Sequence, residues 1–139
     1  MNKNKALKGL DANIILRFLT NDVPAQAERC EKLFEKVQAG AVAVFLADIT
    51  LADVVWILEK YYKLPRTDIR LAMRRIIELK GLHCSNKAQA LAAFDYYVEK
   101  NTDWTDAFMA AQLIAKGIHE LYSFDKHFDR LDDLARIEP

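Results

Sequence analysis

The sequence predicts an α/β protein: a parallel sheet of four to five strands with helices on both faces. Three observations predict it. Short strand-like runs recur at residues 6–10, 41–47, 82–85 and 120–124, and each is too short for a core helix. Between them lie longer stretches whose apolar residues recur at helical spacing. The run at 41–47 is apolar at every position, as expected of a strand covered on both faces in a parallel sheet. Strands alternating with helices form such sheets through right-handed crossovers.

The elements follow in order. Residues 6–10 read as a buried first strand, and Ile14, Ile15, Leu16, Phe18 and Leu19 as a helix packed on the sheet. Pro24 opens the next helix and Gly40 lies beyond its end. Ala27, Cys30, Leu33, Phe34 and Val37 give that helix one apolar face. After the second strand, Leu51, Val54, Val55, Leu58 and Tyr61 mark a helix that Leu64-Pro65 breaks. Residues 66–80 form another, with Ile69, Met73, Ile76 and Ile77 inward and Arg66, Arg70 and Arg74 outward; Gly81 ends it. The third strand is 82–85. A helix over 88–100 turns Leu91, Phe94, Tyr97 and Val98 inward, and a further helix starts at Asn101-Thr102. The fourth strand ends at Asp125, and 134–137 read as an edge strand.

Composition bounds the class. The 139 residues fit one domain, 52% are hydrophobic, and 20 basic residues balance 20 acidic ones. A neutral chain is not a general nucleic-acid binder; it needs a local basic patch or a cation that offsets local acid. Two distant cysteines, Cys30 and Cys84, read as free thiols in a reducing cytoplasm. No apolar run is long enough for a signal peptide or a membrane span.

Acidic residues fall at topologically special positions. Asp11 closes the first strand and Asp125 the fourth. Asp53 lies in the first turn of the helix after the second strand. Asp106 opens the helix before the fourth strand, with Asp103 one turn earlier. In a parallel sheet the strand ends share one edge, where ligands of open α/β sheets bind. Two unit charges ~4 Å apart repel by about 4 kcal/mol at an effective dielectric of ~20. A cluster of this kind protonates some members or binds cations. All-oxygen donors suit Mg²⁺ or Mn²⁺, which activate water and clamp a phosphodiester for in-line displacement. Each acid also has a plainer reading. Asp11, Asp103 and Asp106 suit helix starts, Thr50 to Asp53 has the spacing of a capping box, and Asp125 could serve only the turn into His127.

Four segments in order resemble the PIN domain family, and within it the toxin nucleases of VapBC-type toxin–antitoxin modules. They are Leu10-Asp11-Ala12-Asn13-Ile14-Ile15-Leu16-Arg17, Asp48-Ile49-Thr50-Leu51-Ala52-Asp53-Val54-Val55-Trp56-Ile57-Leu58, Asp103-Trp104-Thr105-Asp106-Ala107-Phe108-Met109-Ala110-Ala111 and Ser123-Phe124-Asp125-Lys126-His127-Phe128. The resemblance implies a three-layer α/β/α fold over residues 1–139 with strand order 3-2-1-4-5. It implies a Mg²⁺- or Mn²⁺-dependent endoribonuclease acting as a toxin and neutralised by a cognate antitoxin. Asp11, Asp106 and Asp125 match the family's first, third and fourth acids and are the implied metal ligands; Asp53 stands where the family usually has Glu. Asn13 and Ser123 match supporting polar residues. Arg17 is placed to touch substrate or an acidic group of the antitoxin. The apolar surplus on the helices carrying Val54, Trp56, Leu58, Tyr61, Tyr62 and Met73 suits a homodimer and a groove for an antitoxin segment. Two other readings compete: a PIN-like binding module that has lost cleavage, and a haloacid-dehalogenase-like phosphatase with Asp11 as nucleophile. The phosphatase would need a second Asp where Asn13 stands.

Overall fold

Three short strands pair in parallel early in the chain: β1 (Lys8–Gly9), β2 (Val44–Phe45) and β3 (Leu82–His83), in the order β1-β2-β3. Two more, β4 (Glu120–Tyr122) and β5 (Ala135–Ile137), pair in parallel as a second sheet. The protein is described by a computed structural model covering residues 6–139. It divides into two units, the first running to Lys87 and the second Ala88–Pro139.

In the first unit, α1 (Ala12–Thr20) packs on α2 (Pro24–Gln38) and on α3 (Asp48–Lys60), and α4 (Arg66–Ile77) packs on α3. Most of the expected apolar faces are buried, but Leu33 of α2 is only half-buried and Tyr61, just past the end of α3, is exposed. Ala27, Cys30, Phe34 and Val37 of α2 are buried, and Phe34 meets Phe18 of α1 with ring centroids 4.6 Å apart. Ile69, Met73, Ile76 and Ile77 bury the inner face of α4. Val44 and Leu46 are buried on the second strand run. The first strand departs from expectation. Only Leu10 of residues 6–10 is buried, while Leu7, Lys8 and Gly9 are exposed. Among the described residues β1 pairs with β2 alone, at the margin of its sheet, where less of the chain covers its side chains.

The turn from α4 into β3 depends on Gly81. A Cβ there would lie 2.2 Å from the carbonyl oxygen of Val42 and 2.8 Å from that of Val37. The absence of a side chain lets the Gly81 amide reach Val37 O at 2.9 Å while its carbonyl accepts from Val44 at 2.9 Å. Gly81 is therefore where α2, β2 and β3 are joined; it does not end the helix as expected, because α4 stops at Ile77 with Glu78 as its C-cap.

In the second unit, α5 (Lys87–Glu99) and α6 (Trp104–Ala115) precede β4, the 3-10 turn Lys126–Arg130 and β5. Trp104 contacts Phe94, Tyr97 and Phe108, at centroid distances of 4.3, 5.9 and 5.7 Å. Ala110 packs with Phe128, Leu131 and Leu134. The buried face of α5 is Ala90, Ala93, Phe94 and Tyr97; Leu91 and Val98 are only half-buried. Asn101 adopts a left-handed conformation (φ 50), so α6 starts at Trp104 rather than at Asn101.

Gly81→Ala is expected to lower stability by about 1–3 kcal/mol or more, because backbone oxygens rather than flexible side chains must give way. Urea denaturation followed by circular dichroism checks this; an unchanged midpoint would contradict the close approach.

Candidate functional site

Each candidate acid stands at or near the start of a helical element, and the structure separates those that cap from those that do not. Asp11 is the residue before α1, with extended backbone (φ −81, ψ 151). Its carbonyl accepts from the Ile14 amide at 3.1 Å, but its side chain bonds no helix amide. Capping, the commonest use of Asp at this position, does not occupy this carboxylate. Asn13 is exposed on the first turn of the same helix.

Asp53 lies one turn further into its helix than expected. α3 begins at Asp48 after Ala47, so Thr50 is inside the helix and no capping box forms with Asp53. Asp53 is exposed, on one stripe of α3 with Ile49, Trp56 and Lys60. Ile49 is 73% and Trp56 63% exposed.

In the second unit, Asp103 and Asp125 lie near enough to Asp106 to act on its charge. Asp103 is the residue before α6 and Asp106 lies in its first turn. Asp106 is half-buried, and its carboxyl is pushed above the usual range, first by burial and then by the charges of Asp103 and Asp125; His127 pulls it down. Asp125 caps the 3-10 turn, its Oδ1 accepting from the His127 amide at 2.9 Å and standing 3.0 Å from His127 Nδ1. Its own amide donates to Ser123 Oγ at 3.0 Å. The plainer reading of Asp125 as a turn residue and its electrostatic link to Asp106 are thus both present.

Arg17 is held in place. Its Nε lies 3.0 Å from Gln26 Oε1 and its guanidinium 3.5 Å from Asp22. Asp22 also accepts from Tyr62 at 2.5 Å and Thr20 at 2.9 Å, and these bonds hold its carboxyl below the usual range. Beside Arg17, a cleft of about 570 Å³ between α1 and α2 is lined by Asn13, Gln26 and Arg29 among others. Arg29 was not singled out from sequence. The available signal was the helical spacing of Gln26, Arg29, Cys30 and Leu33 along one side of α2.

Among the described residues of either unit, no three His, Cys, Asp or Glu side chains are placed to hold an ion by themselves. The donor chemistry nevertheless fits a hard divalent ion. Such an ion takes one or two carboxylates and completes its shell with water and substrate phosphate. It would relieve the like-charge repulsion that raises Asp106. On α4, Arg66 lies 3.7 Å from Glu59, so part of its charge is met within the first unit.

Residues 9–134 match the family model described as "PIN domain". The chain is also 25% identical over 125 residues to a "VapC ribonuclease" of Aquifex aeolicus (strain VF5), covering 90% of this chain and 92% of that protein.

A carboxyl whose folded-state pKa is raised favours folding while protonated; that contribution is complete below the unfolded Asp value and is lost as pH rises through the folded one. Charging Asp106 therefore opposes folding at neutral pH. Asp106→Asn is expected to melt above the parent at pH 7, with the gap closing toward pH ~4. Thermal melts across that range in EDTA test it; a lower melting point at pH 7 would show that the carboxylate is stabilised instead.

Proposed function

We propose that this chain, which belongs to the PIN domain family, is a VapC-like toxin endoribonuclease that hydrolyses RNA phosphodiesters using Mg²⁺ or Mn²⁺. The observation that carries the reading is Asp106, half-buried and raised by Asp103 and Asp125, in a chain that matches the family over 9–134. The relative named as a ribonuclease supports the substrate class. A PIN-like module that binds RNA without cutting it is the second reading, favoured by the short side chain of Asp53.

The proposed metal ligands are Asp11, Asp106 and Asp125. Asp11 is suited by its uncapped, exposed carboxylate. Asp125 keeps one carboxylate oxygen beyond the Oδ1 that serves His127. When bound, the divalent ion supplies Lewis-acid charge stabilisation and lowers the pKa of water. Asp53 orients the attacking water, Asn13 and Ser123 support Asp11 and Asp125, and Asp103 adds negative charge that favours cation uptake. No side chain is asked to form a covalent intermediate.

The partners are proposed on the surface of the first unit. A groove of about 610 Å³ is walled by Phe18, Leu19, Phe34, Ile76 and Leu79, with Glu35 and Arg75 among its polar residues. It suits the apolar face of an amphipathic antitoxin segment. The exposed Ile49, Trp56 and Tyr61 suit contact with a second copy of the chain. No helix among the described residues is long and apolar enough to cross a membrane. Free Cys30 and Cys84 agree with a reducing cytoplasm.

Antitoxin-free protein is expected to cut RNA with Mg²⁺ or Mn²⁺ and not in EDTA. Asp11→Asn and Asp106→Asn should each lower the rate by roughly 100-fold or more, as expected when charge stabilisation worth several kcal/mol is removed. Mn²⁺ should raise the melting point of the parent but not of Asp106→Asn. Asp53→Glu should increase the rate. Cleavage that survives EDTA or both Asn variants would overturn the mechanism; metal-independent RNA binding without cleavage would favour the binding module.

A further inference from the structure

The cleft between α1 and α2 carries an assignment of its own. Two arginines, Arg17 and Arg29, line it, and among the described residues no Asp or Glu does. Its volume, about 570 Å³, falls in the range of roughly 300–1,000 Å³ typical of small-ligand sites. Ile14, Cys30 and Leu33 give it an apolar side, so it is more than a spot for a bare ion.

The two arginines play different parts. Arg17 is already oriented by Gln26 and Asp22, so its guanidinium is fixed before any ligand arrives. Part of its charge is met by Asp22. Arg29 is exposed and makes no ion pair or hydrogen bond among the described residues. Its neighbour Glu28 is turned to Lys32 at 3.5 Å. A guanidinium fork of this kind binds phosphate in bidentate fashion. Asn13, on the first turn of α1 two residues after Asp11, carries the cleft toward the carboxylate assigned to catalysis.

We infer that this cleft seats a nucleotide of single-stranded RNA next to the scissile phosphodiester, its phosphate on Arg29 and Arg17 and its sugar or base against Leu33. The inference rests on the nuclease reading for its substrate. An acidic peptide could also meet two arginines. RNA is favoured because the strand must pass Asp11 in any case, and a phosphate with an apolar sugar and base matches the mixed lining. Arg29 supplies what a net-neutral chain needs to hold an anion, a local cation without a carboxylate partner.

The test measures binding separately from cleavage. A fluorescein-labelled single-stranded RNA is titrated by anisotropy, across a range of KCl concentrations, into protein made non-cleaving by Asp11→Asn. Arg29→Ala is added to that background, with Arg29→Lys as the conservative control. Arg29→Ala should weaken binding by about 5–10-fold at low salt. Its log affinity against log salt should be shallower by about 0.7, as expected for one lost single-strand phosphate contact. Arg29→Lys should keep the slope of the background protein. Melting points should be unchanged, because Arg29 is exposed.

An unchanged slope with Arg29→Ala overturns the inference, as does RNA binding too weak to measure in the background protein. So does competition in which a poly-glutamate peptide is weakened by Arg29→Ala and the RNA is not; the cleft would then take a protein. If the slope falls as expected but Asp11-intact protein never cuts RNA in Mg²⁺ or Mn²⁺, the nuclease reading fails and the nucleotide site stands.

Discussion

Negative charges held close together in a partly dry setting repel, and Asp106 occupies that position. Burial and the carboxylates of Asp103 and Asp125 act in the same direction on it, and His127 opposes them. A protein selected for stability alone would place Asn at such a site. The acid is explicable when something else is bound there, since a cation reverses the sign of the interaction. The same logic separates stability from activity. On the reading proposed above, the group whose charging opposes folding would also be the one that takes up the ion.

Helix starts give a fold an easy way to carry such acids. An acidic side chain before a helix is tolerated because its charge complements the exposed amides and the dipole. Asp11 and Asp103 both hold that position, yet neither makes a side-chain cap bond. Asp125 does cap, through the His127 amide, and is the most committed to local structure of the three. The supporting framework is apolar and ordinary: Phe18 on Phe34 in the first unit, and Trp104 among Phe94, Tyr97 and Phe108 in the second. These contacts fix the helices whose first turns carry the acids.

Zero net charge shapes how RNA could be held. Long-range attraction is weak, so the RNA binding proposed above would rely on local cations, and on a divalent ion if one is bound. The outward arginines of α4 are one local source of positive charge, and of these Arg66 lies 3.7 Å from Glu59. The cleft that holds Arg29 is better placed, because it reaches Asn13 beside Asp11. Which arginine is available depends on what its neighbours pair with, and spacing along the chain does not show that.

The sequence alone determined the kinds of element and most of their faces. Alternating short strands and amphipathic helices are written in periodicity, which follows from 3.6 residues per helical turn and two per strand repeat. Pro24–Gln38 and the inner face of α4 were legible for that reason. So was the ordered set of acids that resembles the family. Boundaries were less legible: Asn101 turns left-handed and delays α6 to Trp104, and α3 begins at Asp48, early enough to remove the capping box from Asp53. Tertiary contacts alone make Gly81 necessary beside two backbone oxygens, leave Asp11 uncapped, raise Asp106 through burial and the charges of its neighbours, and open Arg29 on a cleft. Those properties belong to distances between residues remote in the chain, and local periodicity carries no information about such distances.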